Sequence, residues 1–302
     1  MKKLCILLII SLLFSCANLS DSEQYEITYA FVNLENIAKA DKAKTMDVLK
    51  KRLSKYHKNV EVERNSDNEI IVRLPAGFDI DVVNQIVENQ GKLDFWPCIA
   101  KDQMLRFVLK MDSITKNDTI PKSFSSMVLS LNPAGFPIFA EEDLPHLKKL
   151  VKGDKVKSLF VGDYRRLKLL FGRPDDGYVE LYGVESNQTE RAPINESHII
   201  EAQQDYDQIG RPAVSITMNE YGAHKWYQMT NDAYENDTKI AVTLNDQVYS
   251  APGVTSGPIS GGLTQISGGF TLNQAIDLSN VLRSQQMIPK LKFVRINKLD
   301  KQ

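Results

Sequence analysis

The sequence predicts an α+β fold, and three features carry that expectation. Tyr25 to Ile99 reads as strand, helix, strand, strand, helix, strand. His198 to Ile296 again alternates short β-rich runs with amphipathic helices, and Asn245-Asp246 stands between two of those runs as a two-residue hairpin loop. At 302 residues, 42% hydrophobic and 25% charged, the chain has length and composition for one large domain or two ordinary ones around a sizeable core. Its formal net charge of −1 gives no overall electrostatic footprint for nucleic acid.

The first sixteen residues stand apart from the fold. Lys2 and Lys3 form a basic start, and Leu4 to Phe14 is a largely apolar run. As a helix that run reaches roughly 16 Å, about half the hydrocarbon core, so it reads as a signal-peptide segment and not as a membrane span. It ends in Leu13-Phe14-Ser15-Cys16, which is similar to a bacterial lipobox and implies a lipidated Cys16 as the first mature residue. Ser15 and Leu13 fit that pattern, while bulky Phe14 departs from it. The alternative is an ordinary secretory signal cut elsewhere. Residues 17–24 are small and polar, as suits a tether. Cys5 leaves with the signal, so Cys98 is the remaining thiol. It lies in the apolar stretch Leu93-Asp94-Phe95-Trp96-Pro97-Cys98-Ile99 and reads as buried and inert. No later stretch approaches the length of apolar chain that spans a bilayer.

In chain order, Tyr25 to Val32 is a strand, and Glu35 to Tyr56 a helix with Met46, Leu49, Leu53 and Tyr56 at helical spacing. Two β-rich runs, 60–63 and 69–74, flank the turn Asn65-Ser66-Asp67-Asn68. Ile80, Val83, Ile86 and Val87 mark a short helix, and Lys92 to Ile99 a last strand. That succession is the split βαβ order of a ferredoxin-like base, 25–99. Residues 100–195 form a variable insert. Met104–Met111 fits a strand or a short helix, Glu141–Val151 a helix with acidic start and basic end, and 158–161 and 178–182 strands. Arg165-Arg166-Leu167-Lys168 reads as a solvated basic face. An α+β head with an antiparallel sheet follows over 196–297. Ala213–Met218 is a strand, Asn219 caps a helix with Ala223, Trp226, Tyr227 and Thr230 on one face, and Thr271-x-x-Gln274 is a capping box. Ala275, Leu278, Ser279 and Leu282 point inward from the next helix, and Leu291–Ile296 is the closing strand of this unit.

Chemistry is scarce. The glycines between Gly253 and Gly269 lack the Lys and Ser or Thr that complete a phosphate loop, since Leu263 and Phe270 follow the glycine pairs. Ile259-Ser260-Gly261-Gly262 is echoed by Ile266-Ser267-Gly268-Gly269, a pattern suited to bulges or close backbone approach. Asp205-x-Asp207-x-x-Gly210 starts like a calcium loop, but Ile209 and Ile216 occupy the later ligand positions, so it reads as a turn. His57, His146, His198 and His224 are scattered without zinc-site spacing. No nucleophile elbow occurs. The expectation is a protein with no catalytic site, no metal and no cofactor.

Several of these residues carry a family resemblance. Gly210-Arg211-Pro212-Ala213-Val214-Ser215, Gly222-Ala223, the run Ile240 to Pro252, both Ile-Ser-Gly-Gly pieces and Ala275 to Leu282 resemble the first periplasmic domain of SecD. Leu49 to Leu53, Ile70 to Pro75 and Gly91 to Phe95 are similar to the base of that domain. The resemblance implies a ferredoxin-like base with an inserted head, and a role in protein export beside the Sec machinery or on translocating polypeptide. It does not extend to the membrane helices that couple protons, and Ser284-Gln285-Gln286 replaces the family's glycine before the closing apolar-Pro pair. The expectation is therefore a lipid-anchored envelope protein facing the periplasm, non-catalytic, that binds polypeptide or export machinery. The alternative is a structural or ligand-binding envelope lipoprotein that reuses the fold outside export.

Overall fold

Fifteen strands and eight α-helices appear in the computed structural model, which describes residues 23–115, 123–160, 164–187, 191–283 and 287–299. The signal segment, Cys16 and residues 17–22 of the tether lie outside the described residues. The chain begins with β1 (Gln24–Phe31), α1 (Lys39–Tyr56), β2 (Glu61–Arg64), β3 (Ile70–Pro75), α2 (Ile80–Glu88) and β4 (Leu93–Pro97). The insert contributes α3 (Lys101–Thr115), α4 (Phe124–Met127), β5 (Ser130–Leu131), β6 (Pro137–Ala140), α5 (Leu144–Val151) and α6 (Asp154–Leu159). It continues through β7 (Leu167–Phe171), β8 (Tyr178–Glu185) and β9 (Ile194–Asn195). The head holds β10 (Ile199–Tyr206), β11 (Pro212–Met218), α7 (Glu220–Glu235), β12 (Ile240–Leu244), β13 (Gln247–Ser250), β14 (Leu263–Ile266) and α8 (Leu272–Arg283). Last comes β15 (Leu291–Leu299). The fold is mixed α+β with antiparallel sheets, as expected.

Local chemistry explains the base. Asn65 Oδ1 accepts the Asp67 and Glu69 amides and closes the β2–β3 turn, with Asn68 at φ 62°. Asp79 caps α2 by accepting from Asp81 and Val82. Helix α1 begins at Lys39, behind a separate 3-10 turn at 34–36, because Ile37 and Ala38 are extended.

The strand that completes this sheet is not the expected one. Its order is β15-β1-β3-β2, so Leu291–Leu299 takes the place assigned to 92–99 and does not close the head. It pairs antiparallel with β1 from Gln24↔Leu299 to Phe31↔Leu291. The reason lies in burial. Strand β4 is buried from Leu93 through Trp96, so it belongs inside a sheet covered on both faces. Strand β15 exposes Val294 and Ile296 and suits an edge. Accordingly β4 sits in a second sheet, β13-β12-β4-β9. Leu93, Phe95, Ile240, Val242 and Leu244 join the core under the head. Trp96, Cys98, Ala241 and Val248 join the core of the insert.

The insert forms the sheet β5-β6-β8-β7 with helices against it. Met104, Phe107 and Met111 are buried on one face of α3, which resolves 104–111 as helix. Residues 154–159 are helical, so the expected strand at 158–161 is corrected as far as the described residues reach. Cys98 is buried and free, and burial pushes its thiol up to about 12, which keeps it unreactive at neutral pH.

One buried charge sits on the second sheet. Asp94 is 4% exposed, 3.7 Å from Lys92 Nζ, and its Oδ2 has no hydrogen-bond partner among the described residues. Lys92 itself bonds Asp246 Oδ1 at 2.6 Å, and Lys168 approaches that same oxygen at 3.6 Å. Burial pushes the Asp94 carboxyl up to about 6, with Lys92 opposing and Glu196 and Asp246 assisting. In the unfolded chain it titrates near 3.9. The folded state therefore gains protons over the unfolded one between those values, and its stability rises as pH falls from about 6 to about 4, by on the order of 2–3 kcal/mol from this group. Asp94→Asn should remove that increment from the difference between urea unfolding curves at pH 4 and pH 7. An unchanged difference rejects the assignment.

Candidate functional site: the head sheet and its glycine-rich arm

The head sheet, β10-β11-β14, is antiparallel throughout. A self-capped turn joins β10 to β11. Asp207 Oδ1 accepts the Ile209 amide at 3.1 Å and the Arg211 amide at 2.8 Å, while Arg211 Nε bonds Oδ2 at 2.8 Å. Gly210 supplies φ 78°. These donors, the Arg211 amide first, hold the Asp207 carboxyl below the usual range. The calcium-like spacing is thus a turn, and no metal-holding group of His, Cys, Asp or Glu occurs among the described residues.

Alternation splits the sheet into two faces. Ala202, Val214, Ile216 and Ile266 are buried and pack with α8, whose Ala275, Leu278, Ser279 and Leu282 point inward as expected. Thr271 and Gln274 form the reciprocal bonds of a capping box at 3.2 and 2.9 Å. Asn219 caps α7 by accepting the Gly222 amide. Trp226 is buried edge-on against Phe95, centroids 5.4 Å apart. Tyr227, expected on that same face, is 45% exposed, since one residue turns it about 100° around the helix axis. His224 is exposed, and His198 stacks on Tyr221 while its Nδ1 accepts the Asn195 amide.

The glycine-rich arm is a packing device. Gly262 has φ 70°, its carbonyl accepts the Met218 amide, and a Cβ there would lie 2.6 Å from that of Ala223. A Cβ on Gly268 would lie 3.0 Å from the Tyr249 carbonyl oxygen. Arg173 Nη2 donates to the Gly268 carbonyl at 3.0 Å, and its guanidinium lies 5.4 Å from the Tyr249 ring centroid. Carbonyls here accept from a cation of the insert, the reverse of a phosphate cradle. The two Ile-Ser-Gly-Gly pieces have different fates, with Ile266 buried in β14 and Ile259 37% exposed.

The outer face is polar. Glu201–Thr217–Leu263 and Gln203–Ser215–Gln265 are its cross-strand rows. Ser215 Oγ donates to Asp205 Oδ2 at 2.5 Å, and Gln265 Nε2 reaches the same oxygen at 3.3 Å. The Ser215 hydroxyl is the largest cause holding the Asp205 carboxyl below its usual range. Strand β10 has no strand on its outer side among the described residues, and Arg283 Nε bonds the Ala202 carbonyl at 3.0 Å on that side. The Tyr206 amide is held by Asp205 Oδ1 and its carbonyl by Gln265 Nε2, so it is the outward backbone at Gln204 that offers pairing to an extended chain. Sequence reasoning missed the Asp205–Ser215–Gln265 set, because its partners are 10 to 60 residues apart and meet only through strand register.

The comparisons agree with this geometry. Residues 181–288 match the family model described as SecDF, P1 head subdomain. The protein translocase subunit SecD of Rhodothermus marinus is 23% identical over 282 residues, covering 80% of this chain and 44% of the relative. SecD of Calditerrivibrio nitroreducens is 39% identical over 87 residues, 29% of this chain and 16% of that protein. A crystal structure of SecDF in its super-membrane-facing form aligns with 92% of this chain and 30% of its own, at TM-score 0.53 and 19% identity. A second structure, of a membrane component SecDF that enhances protein export, aligns with 91% of this chain and all of its own at TM-score 0.53 and 18% identity. The chain is thus similar in sequence to SecD proteins and in fold to SecDF. It carries a SecD-like P1 domain with the SecDF P1 head subdomain at 181–288, and it spans 44% of the first curated relative's length.

Gly261 and Gly262 separate two costs of the arm. Gly261 has φ 83° and open space around its Cβ position, so Gly261→Ala should cost only the left-handed strain, about 1–2 kcal/mol. Gly262→Ala adds the clash with Ala223 and should cost a further 1–3 kcal/mol or so in chemical unfolding. Equal losses for the two variants would contradict the close packing of arm on helix.

Proposed function

We propose that this chain is a lipid-anchored, non-catalytic SecD-like domain protein of the bacterial cell envelope, facing the periplasm, whose head receives extended polypeptide in protein export. The observation that carries this reading is the match of residues 181–288 to the P1 head, joined to the outward-facing backbone of β10 at Gln204. Edge pairing recognises main chain and needs little sequence preference, which suits a client that varies. Docking on the Sec machinery belongs to the same reading. The base is read as ferredoxin-like, with β15 as its last strand. No helix among the described residues is long and apolar enough to cross a membrane, and motor action forms no part of the proposal. Cys16 is the proposed site of lipid attachment, and its place after Leu13-Phe14-Ser15 supports this.

The Ala202 carbonyl faces the outer edge, so the amide two residues on does too, and Gln204→Pro removes one edge donor while sparing the β10–β11 ladder. With a reduced, carboxymethylated unfolded polypeptide as the probe, binding should weaken about tenfold in this variant, as one lost main-chain hydrogen bond and local distortion would give. Unchanged affinity, or no affinity in the parent protein, rejects the edge-pairing role. Separately, a metabolic lipid analogue should label the parent protein and spare Cys16→Ala. Equal labelling of both removes the anchor from the account.

A further inference from the structure

We propose that a basic groove on the insert docks an acidic polypeptide segment of a partner protein. Between Lys148 and Lys168 the sequence holds eight Lys or Arg against two Asp, a net of +6, so the other residues together carry −7 to give the chain its −1. That is a concentrated field on an otherwise acidic protein, and it draws partners of opposite sign.

The fold turns this stretch into a walled surface. A groove of about 700 Å³ is lined by Arg106, Arg165 and Arg166 beside Ile99 and Leu167. A second, of about 430 Å³, is lined by Lys157, Arg165 and Lys168 beside Val151, Phe160 and Leu169. Arg165 and Leu167 belong to both, so the two grooves run together. Arg165 and Arg166 are exposed and have no carboxylate within ion-pair reach among the described residues. Among the described residues, Arg106 and Lys157 form exposed ion pairs within their own helices, to Asp102 at 2.7 Å and Asp154 at 3.0 Å. Exposed pairs of that kind give up little when exchanged for an incoming carboxylate.

The mixture of walls selects the partner. Cations stand beside apolar side chains, and Glu185 also lines the larger groove. A continuous phosphate backbone would meet Glu185 at close range, and a flat layer of headgroups would leave the apolar walls wet. A polypeptide with spaced carboxylates and apolar residues satisfies both components, and arginine accepts carboxylates in bidentate geometry. The cations all precede residue 181, outside the stretch matched to the P1 head. This docking role is therefore independent of client binding by β10.

The test uses the intact chain and fluorescence anisotropy with a labelled peptide of Glu, Ser and Leu, beside the same peptide with Gln for Glu. The acidic peptide should bind with a salt-dependent affinity, and both the Gln peptide and the double variant Arg165→Glu/Arg166→Glu should bind about tenfold more weakly. Circular dichroism confirms that the variant is folded, and Lys50→Glu/Lys51→Glu on exposed α1, with the same change in net charge, should leave affinity unchanged. The proposal is overturned if the Gln peptide binds equally, if both double variants lose affinity alike, or if no peptide binds. It is also overturned if single-stranded DNA or phosphatidylglycerol vesicles bind more tightly than the acidic peptide.

Discussion

The pairing of β1 with β15 is the constraint on which the architecture rests. Eight residues at the start of the described chain register against nine at its end, with one irregularity between Thr28 and Tyr29. Everything from Gln90 to Lys290 must leave the base and return to it, and the Ile288 amide bonds the Gln90 carbonyl where the two crossings meet. The base core, with Ile27, Leu49, Leu53 and Leu74 fully buried, contains Ile288 and Leu291 from the returning segment. Closing so long a loop costs only a logarithmic entropy term, so an edge strand with a modest apolar face suffices to hold it.

The second sheet is a shared wall. Because its strands alternate, Phe95 and Val242 serve the head while Trp96 and Ala241 serve the insert. Head and insert are thereby joined through one sheet. Arg173 reinforces the join by reaching from the insert to the arm. The same wall buries Asp94 beside Lys92, Glu196 and Asp246, which couples the join to pH through a charge whose burial is expensive. The β10 edge and the basic groove lie on different sides of this wall, so one chain presents a backbone-pairing edge and a cationic surface independently.

Local signals in the sequence located most elements. Capping at Asn219 and Thr271, the Asn65 turn and the Asn245-Asp246 hairpin are written within four residues of chain, and each appears in the structure. Strand partnership was illegible for a physical reason. Strands β4 and β15 are both apolar-rich, and nothing within either says which sheet it joins. Only the two-sided burial of β4 decides that. In the insert, α3 does carry Met104, Phe107 and Met111 at helical spacing, whereas the six residues of α6 are too few to show a period. Tyr227 marks the resolution limit of helical phase, since it lies one residue from a buried Trp226.

Hydrogen exchange followed by peptide mass spectrometry under graded denaturant tests the base most directly. If β1 and β15 are neighbours in one sheet, residues 24–31 and 291–299 lose protection together, as one cooperative unit. Exchange of 291–299 at the rate of unstructured chain, while β1 and β3 stay protected, would contradict the closure of the base by its last strand.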